Sequence, residues 1–259
     1  MIEVGIVVAV VVLLSALGLI LVRRFVPLSS LAQHTDVAGY VYAVIGVLYA
    51  VMLAQMVITS WEEFRDASAS ATDEASAVLN LSRLADGFPE DGRIMVQTAL
   101  QEYARHVIEV EWVELGRGEF VPNLHMSPMR ELWAAVNRAG QATAANEQVY
   151  AASLSQLDQL DDARRKRILL SDEGLPEIMV SVLLIGAVVT VGFSYLFAVD
   201  NLWAHGLMTS SLAVLIALLL LLATELETPF SGLSSVSPTA MQFALAEIEA
   251  SLATAETTS

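Results

Sequence analysis

Few residues in this chain have the type and spacing for covalent or metal chemistry. The four histidines, His34, His106, His125 and His205, are scattered, and no two stand at metal-ligand spacing. There is no cysteine, which excludes a disulfide scaffold, a thiolate zinc site and an iron–sulfur cluster. Gly116-Arg117-Gly118 lacks the third glycine and the preceding strand of a phosphate loop, and there is no Gly-x-Ser-x-Gly elbow. His106 falls mid-helix beside Tyr103 and Val110, with no nucleophile or orienting acid near it, and reads as a packed or surface histidine. The expectation is a protein that is not an enzyme and that has no cofactor and no metal site.

Polar residues inside long apolar runs are more informative, because lipid makes them costly. Val37 to Ser60 carries Tyr40, Tyr42, Tyr49, Gln55, Thr59 and Ser60. Tyr42, Tyr49 and Met56 are seven apart, and Gln55 and Thr59 are four apart, so one helix face is aromatic and mildly polar. That face is either a pore wall or a seam of interhelical hydrogen bonds with an aromatic belt. Just beyond it come Glu62, Glu63 and Asp66, then Asp73 and Glu74, against Arg65 alone. In one subunit these acids form a solvated face, whereas in a ring of subunits they stack into a collar that attracts cations. Thr190, Ser194, Tyr195, Asp200, Asn201 and His205 read as packing and hairpin capping.

The elements that position these residues follow from charge. Val4 to Val22, Val37 to Ser60 and Ile178 to Val199 contain no charged residue, and Leu202 to Thr224 is interrupted only by His205. A spanning helix needs about 20 mainly apolar residues, so the chain is expected to cross a membrane four times. The first run lacks the positive start of a signal peptide and is too long for its apolar core, so it is expected to be retained. Of the basic residues close to span ends, Arg23 and Arg24 follow span 1. Arg65 and the run Arg164-Arg165-Lys166-Arg167 flank the central segment, five against two. The positive-inside rule then puts both termini and the central segment in the cytoplasm of a bacterial inner membrane.

Residues 61 to 174 read as helical. No proline falls between Val37 and Leu84, so span 2 is expected to continue past Trp61 as one helix of about 45 residues, about 70 Å long. Asp86-Gly87-Phe88-Pro89 breaks it. A second helix, Glu90 to Leu115, sets Leu100, Tyr103, Val107, Val110 and Glu114 near one face. A loop with Pro122 follows, then a short helix from Ser127-Pro128 to Ala139 and another from about Thr143 to Leu170. In the tail, Met241, Leu245, Ile248 and Leu252 form a narrow apolar stripe on a helix that must dock on its own domain or on a neighbouring subunit.

Of the 259 residues, 55% are hydrophobic and 16% charged, which argues against a soluble globular enzyme. The net charge of −16 argues against nucleic acid as a partner, since binding phosphates needs clustered Lys and Arg. The central segment carries 20 acidic and 11 basic residues, a net of −9.

Tyr42-Ala-Val-Ile-Gly-Val-Leu-Tyr-Ala-Val-Met-Leu-Ala-Gln55 and Glu74-Ala-Ser-Ala-Val-Leu-Asn-Leu-Ser-Arg-Leu-Ala85 resemble a span-2 signature of the bacterial bestrophin-like membrane protein family. Gly192-Phe-Ser-Tyr-Leu-Phe197 is the strongest match. It is followed by Leu207-Met-Thr-Ser-Ser211, Thr228-Pro-Phe-Ser-Gly232 and Val236-Ser-Pro238, so that the likeness runs from about 30 to 250. The resemblance implies a pentameric ion channel with a helical cytoplasmic domain and a pore lined by span 2. The bestrophin neck triplet is not reproduced; Tyr42, Tyr49 and Met56, or Tyr49, Met52 and Met56, stand nearest to it. The acidic calcium clasp of the animal channels has no counterpart.

The expected architecture is an all-α membrane protein with four transmembrane helices and a helical cytoplasmic domain inserted between spans 2 and 3. Its segments are 1–60 (spans 1 and 2), 61–175 (cytoplasmic domain), 176–224 (spans 3 and 4) and 225–259 (docking tail). Its expected partners are the lipid bilayer, further copies of itself and inorganic ions. Tyr42, Tyr49, Met52, Gln55 and Met56 are the candidate constriction, Glu62, Glu63 and Asp66 the candidate vestibule, and the acidic collar leans toward cations. The alternative is a non-conducting scaffold or sensor whose acidic helical domain binds a cytoplasmic partner.

Overall fold

Long stretches of helix formers without proline run through this chain, and the structure is correspondingly helical. The computed structural model describes residues 2–28, 31, 35–119, 126–141, 147–172, 176–232 and 234–258, and among these there is no strand. The helices are α1 (Ile2–Phe25), α2 (Thr35–Ala85), α3 (Glu90–His106), a π-helical turn (Val107–Glu111), α4 (Trp112–Arg117), α5 (Ser127–Gln141), α6 (Glu147–Asp172), α7 (Glu177–Ser194), α8 (Leu202–Leu226) and α9 (Thr239–Thr258). His34, His125, the loop at Pro122, the expected helix start at Thr143 and part of the turn before Pro176 lie outside the described residues.

Four helices are long and apolar enough to cross a membrane: α1, α2, α7 and α8. Leu13, Leu17, Val44, Leu48, Ile185, Val188 and Leu215 are exposed on them, as lipid requires. Helix α2 is unbroken over 51 residues. Span 3 is shorter than its uncharged run. It stops at Ser194, where Tyr195 N–H bonds the Gly192 carbonyl at 3.2 Å and Leu196 N–H the Phe193 carbonyl at 3.1 Å. Absence of charge marks lipid compatibility, not helix length, so the run to Val199 overshoots. Asn201 then caps α8, its Oδ1 accepting from Trp203 and Ala204 N–H at 2.9 and 3.2 Å.

The chain divides into two units, residues 1–62 with 175–227 and residues 63–174 with 228–259. In the first, α1 packs along α8, and Tyr49, Leu53 and Met56 of α2 form a core with Leu183, Ile216 and Ala223. In the second, α3 packs against α5 and α9, around a core that includes Ala67, Ala71, Ala75, Val78 and Leu81 of α2. The tail helix α9 docks on α3 of its own chain. Met241, Ala244 and Ile248 are buried, and Leu245 and Leu252 pack half-buried against the same core, so the expected stripe docks with Ala244 added to it. Glu249 accepts from Arg105 at 3.1 Å and from Gln101 at 3.2 Å.

The second unit is organised around a buried charge cluster. Arg167 and Glu74 are both 0% exposed. Arg167 donates through Nε to Glu74 Oε2 at 2.5 Å and through Nη2 to Glu111 Oε2 at 2.6 Å. Arg164 donates to Glu111 Oε1 at 2.6 Å, and the Tyr103 hydroxyl donates to Glu74 Oε1 at 2.6 Å. The Trp112 ring covers the Arg167 guanidinium at 5.1 Å. Two of the four basic residues expected beside span 3 are therefore interior residues, and only Arg165 and Lys166 stay exposed.

The π turn explains why the helical stripe read from the sequence ends wrongly. An extra residue in the turn shifts the register after Val107. Glu111, Trp112 and Leu115 are buried, whereas Val110 and Glu114, expected on the packed face, are only half-buried. Gly118, with φ of 68°, ends α4 in the left-handed conformation.

Burial alone would raise the Glu111 carboxyl, but Arg167 and Arg164 outweigh it and hold the group below the usual carboxylate range. Burial, then Glu74 and Glu111, push the Tyr103 phenol well above its ordinary value. Because the folded Glu111 carboxyl lies below its unfolded value, its contribution is complete above the unfolded carboxylate range. It is lost as pH falls through the depressed value. Arg167→Met leaves the buried Glu74 carboxylate with no cation and only the Tyr103 hydroxyl, and Glu111 with Arg164 alone, and is expected to cost about 3–5 kcal/mol. Arg165→Gln removes only an exposed pair to Asp161 and should cost about 0.5 kcal/mol or less. Denaturant unfolding of the two purified variants, compared with the parent, checks the contrast.

Candidate functional site

Helix α2 presents two unlike faces within the first unit. Its inner face is Tyr49 (6% exposed), Leu53 and Met56 (0% exposed), packed on α7 and α8. Tyr42 continues this face, half-buried, stacked on Phe193 at 6.0 Å between centroids and edge-on to Phe197 at 5.3 Å. Tyr49 lies flat against Gly186, where a Cβ would come within 2.6 Å of the ring. The Tyr49 and Thr190 hydroxyls are buried without a hydrogen-bond partner among the described residues. The groove between α2 and α8, about 720 Å³, is lined mainly by apolar side chains such as Ala50, Leu53, Leu212 and Ile216, with Tyr42, Tyr49 and Thr190 as its polar members and no charged residue.

The outer face is different. Val44, Leu48, Val51, Met52, Gln55 and Glu62 are exposed, and Thr59 is half-exposed. Gln55, Thr59 and Glu62 follow one another at helical i, i+4, i+7 spacing, so they share a side. The Gln55 amide donates to Thr59 Oγ1 at 3.4 Å.

The residues expected at the constriction therefore separate. Met52 and Gln55 stand on the outer side. Tyr49 and Met56 do not, and Tyr42 lies with them, so the seven-residue stripe is the seam by which α2 packs on its own subunit. The three expected vestibule acids also differ. Glu62 is exposed on the outer side, and Glu63 is turned away from it by about 100°, the angle between successive helical residues. Asp66, which groups with the second unit, is exposed and 3.8 Å from Lys166.

A second polar cluster sits where α1, α7 and α8 meet. Arg23 donates through Nη2 to the Val199 carbonyl, and the same nitrogen lies 3.1 Å from His205 Nδ1. His205, 2% exposed, reaches the Ser194 carbonyl through Nε2 at 2.9 Å. The Tyr195 hydroxyl lies 3.5 Å from Ser15, and its ring occupies the space a side chain at Gly18 would need. The expected hairpin role of His205 holds in its place at the start of α8, and the structure adds Arg23 as its partner. The available signal was a basic pair directly at the end of a span.

The family model for the bestrophin-like domain matches residues 9–241. The chain belongs to the bestrophin-like family. No curated protein matches it. Among solved structures it is similar to a bacterial bestrophin homologue from Klebsiella pneumoniae, with a TM-score of 0.69 and 17% identity over 95% of this chain and 97% of that one. A point variant of that homologue gives 0.73 at 16% identity, covering 98% of each chain. A further crystal structure, described as a membrane protein variant, gives 0.71 at 17% identity over 98% of this chain and 99% of the other. At such identities the likeness shows a bestrophin-like fold, and this membrane protein shares it across nearly its whole length.

In this bestrophin-like chain the α2 seam depends on Gly186 and not on the Tyr49 hydroxyl. Gly186→Val drives a side chain into the Tyr49 ring and is expected to cost about 1–3 kcal/mol. Tyr49→Phe removes a hydroxyl with no partner and should be neutral or slightly stabilising. Thermal unfolding of both variants in detergent distinguishes them; a Tyr49→Phe loss as large as that of Gly186→Val would overturn this account of the seam.

Proposed function

We propose that the protein is one subunit of a closed, homo-oligomeric ion channel, a pentamer, in which α2 lines the central path. The observation that carries the reading is the outer face of α2, where Gln55, Thr59 and Glu62 succeed one another outside the subunit core. An amide, a hydroxyl and a carboxylate on that side of a span are costly against lipid and useful against water. The bestrophin-like family and fold support the same reading. Met52 and Gln55 form the narrow wall. Glu62 and Asp66, with Glu63 beside them, form the acidic vestibule, which favours cations. Tyr42, Tyr49 and Met56 brace the wall from behind. The role is permeation rather than catalysis.

The membrane is a bacterial inner membrane, with both termini and the second unit on the cytoplasmic side. Arg23, engaged with Val199 and His205, counts less toward topology than a free surface charge does. With the buried Arg164 and Arg167 also set aside, Arg65, Arg165 and Lys166 still outnumber Arg24.

Native mass measurement in mild detergent is expected to show a ring of about five chains, a closed symmetric assembly. A monomer or dimer leaves no axis for α2 to line and turns attention to the acidic second unit as a binding module. In bilayer recordings under a salt gradient, Glu62→Gln, Glu63→Gln and Asp66→Asn together should lower cation preference. An unchanged reversal potential would remove the vestibule acids from the selectivity argument.

A further inference from the structure

The buried histidine of the first unit has a geometry that depends on its protonation. His205 Nε2 faces the Ser194 carbonyl, which only accepts, so Nε2 carries the proton. Nδ1 is then the bare nitrogen and accepts from Arg23 Nη2 at 3.1 Å. One neutral imidazole thereby holds the last turn of α1, the end of α7 and the first turn of α8 together.

We infer that Arg23 and His205 form a proton-operated latch between span 1 and the α7–α8 hairpin. The latch is closed while the imidazole is neutral. When Nδ1 takes a proton from water, the acceptor becomes a donor and two cations face each other at hydrogen-bond distance. The same Nη2 also bonds the Val199 carbonyl, so driving the guanidinium off the imidazole breaks both contacts and releases the end of α1 from the hairpin. A cavity of about 400 Å³ bounded by His205, Tyr42, Phe197, Val199 and Thr209 is much larger than a water molecule and gives the proton its route. The groups around the imidazole are Arg23 with exposed Arg24 on α1, Tyr42 on α2, Tyr195 at the end of α7, Asp200 in the exposed turn and Thr209 on α8. Asp200 is controlled for separately.

The chain has no cysteine, so one can be placed without removing others. Phe25→Cys, at the exposed end of α1 (74%), takes a nitroxide label on the full-length protein. Spectra are recorded at about pH 8 and about pH 5, either side of the histidine range. The expected result is an immobilised component at the higher pH that is lost at the lower one. In the same background, Arg23→Gln should lose that component at both values, and His205→Gln should give a spectrum that does not change with pH. Asp200→Asn should keep the parent's response. A parent spectrum unchanged by pH, or a His205→Gln variant that still responds, overturns the latch. If His205→Gln does not fold, the parent and Arg23→Gln decide, since an Arg23→Gln protein with the parent's pH response overturns it equally. The measurement reads the end of span 1 and is independent of whether the protein conducts ions.

Discussion

A single hydrogen-bond ladder, from Thr35 to Ala85, is the constraint from which the other packing follows. A helix without a break cannot rotate one part of its surface relative to the rest. Its buried positions therefore recur at three and four: Tyr49, Leu53, Met56 and Ser60 in the first unit, then Ala67, Ala71, Glu74, Val78, Leu81 and Ala85 in the second. In the first unit, the side left over from packing on α7 and α8 carries Gln55, Thr59 and Glu62.

Seen this way, Glu74 is an exception on an otherwise small and apolar stripe. It is tolerated because Arg167 and Tyr103 saturate it. The four charges Glu74, Glu111, Arg164 and Arg167 are balanced in sign, so a chain with a large acidic excess keeps a neutral interior and places the excess on its surface. A cluster of this kind is weak evidence of net stability, because apolar packing often does as well. It is strong evidence of a fixed arrangement, because each member is costly without the others.

Much of the architecture was legible because lipid filters residues by type. Four uncharged runs located four spans, and the absence of proline made α2 continuous. The tail helix could be expected to dock because its narrow stripe could not be stable alone. What was not legible depended on long-range pairing or on a change of helical period. The end of span 3 at Ser194 is set by turn geometry within a run that stays apolar to Val199. Arg164 and Arg167 looked like surface charges, since their partners lie 53 to 93 residues away. Tyr49 and Met56 had the spacing of a wall, but spacing says that residues share a face and not what that face meets. Gly186, which admits the Tyr49 ring, was the clue on the other helix.

The π turn between α3 and α4 gives this domain an unusual kind of sensitivity. Residues on either side of Val107–Glu111 are held in register by chain length as much as by side-chain identity. Winding the same residues as a regular α-helix would swing everything after the turn by about 100°. Glu111 would leave the two arginines and Trp112 would leave Arg167, with every chemical group still present. The charge network is thus encoded partly in the pitch of one turn, which absorbs a residue so that Glu111 and Trp112 reach the arginines.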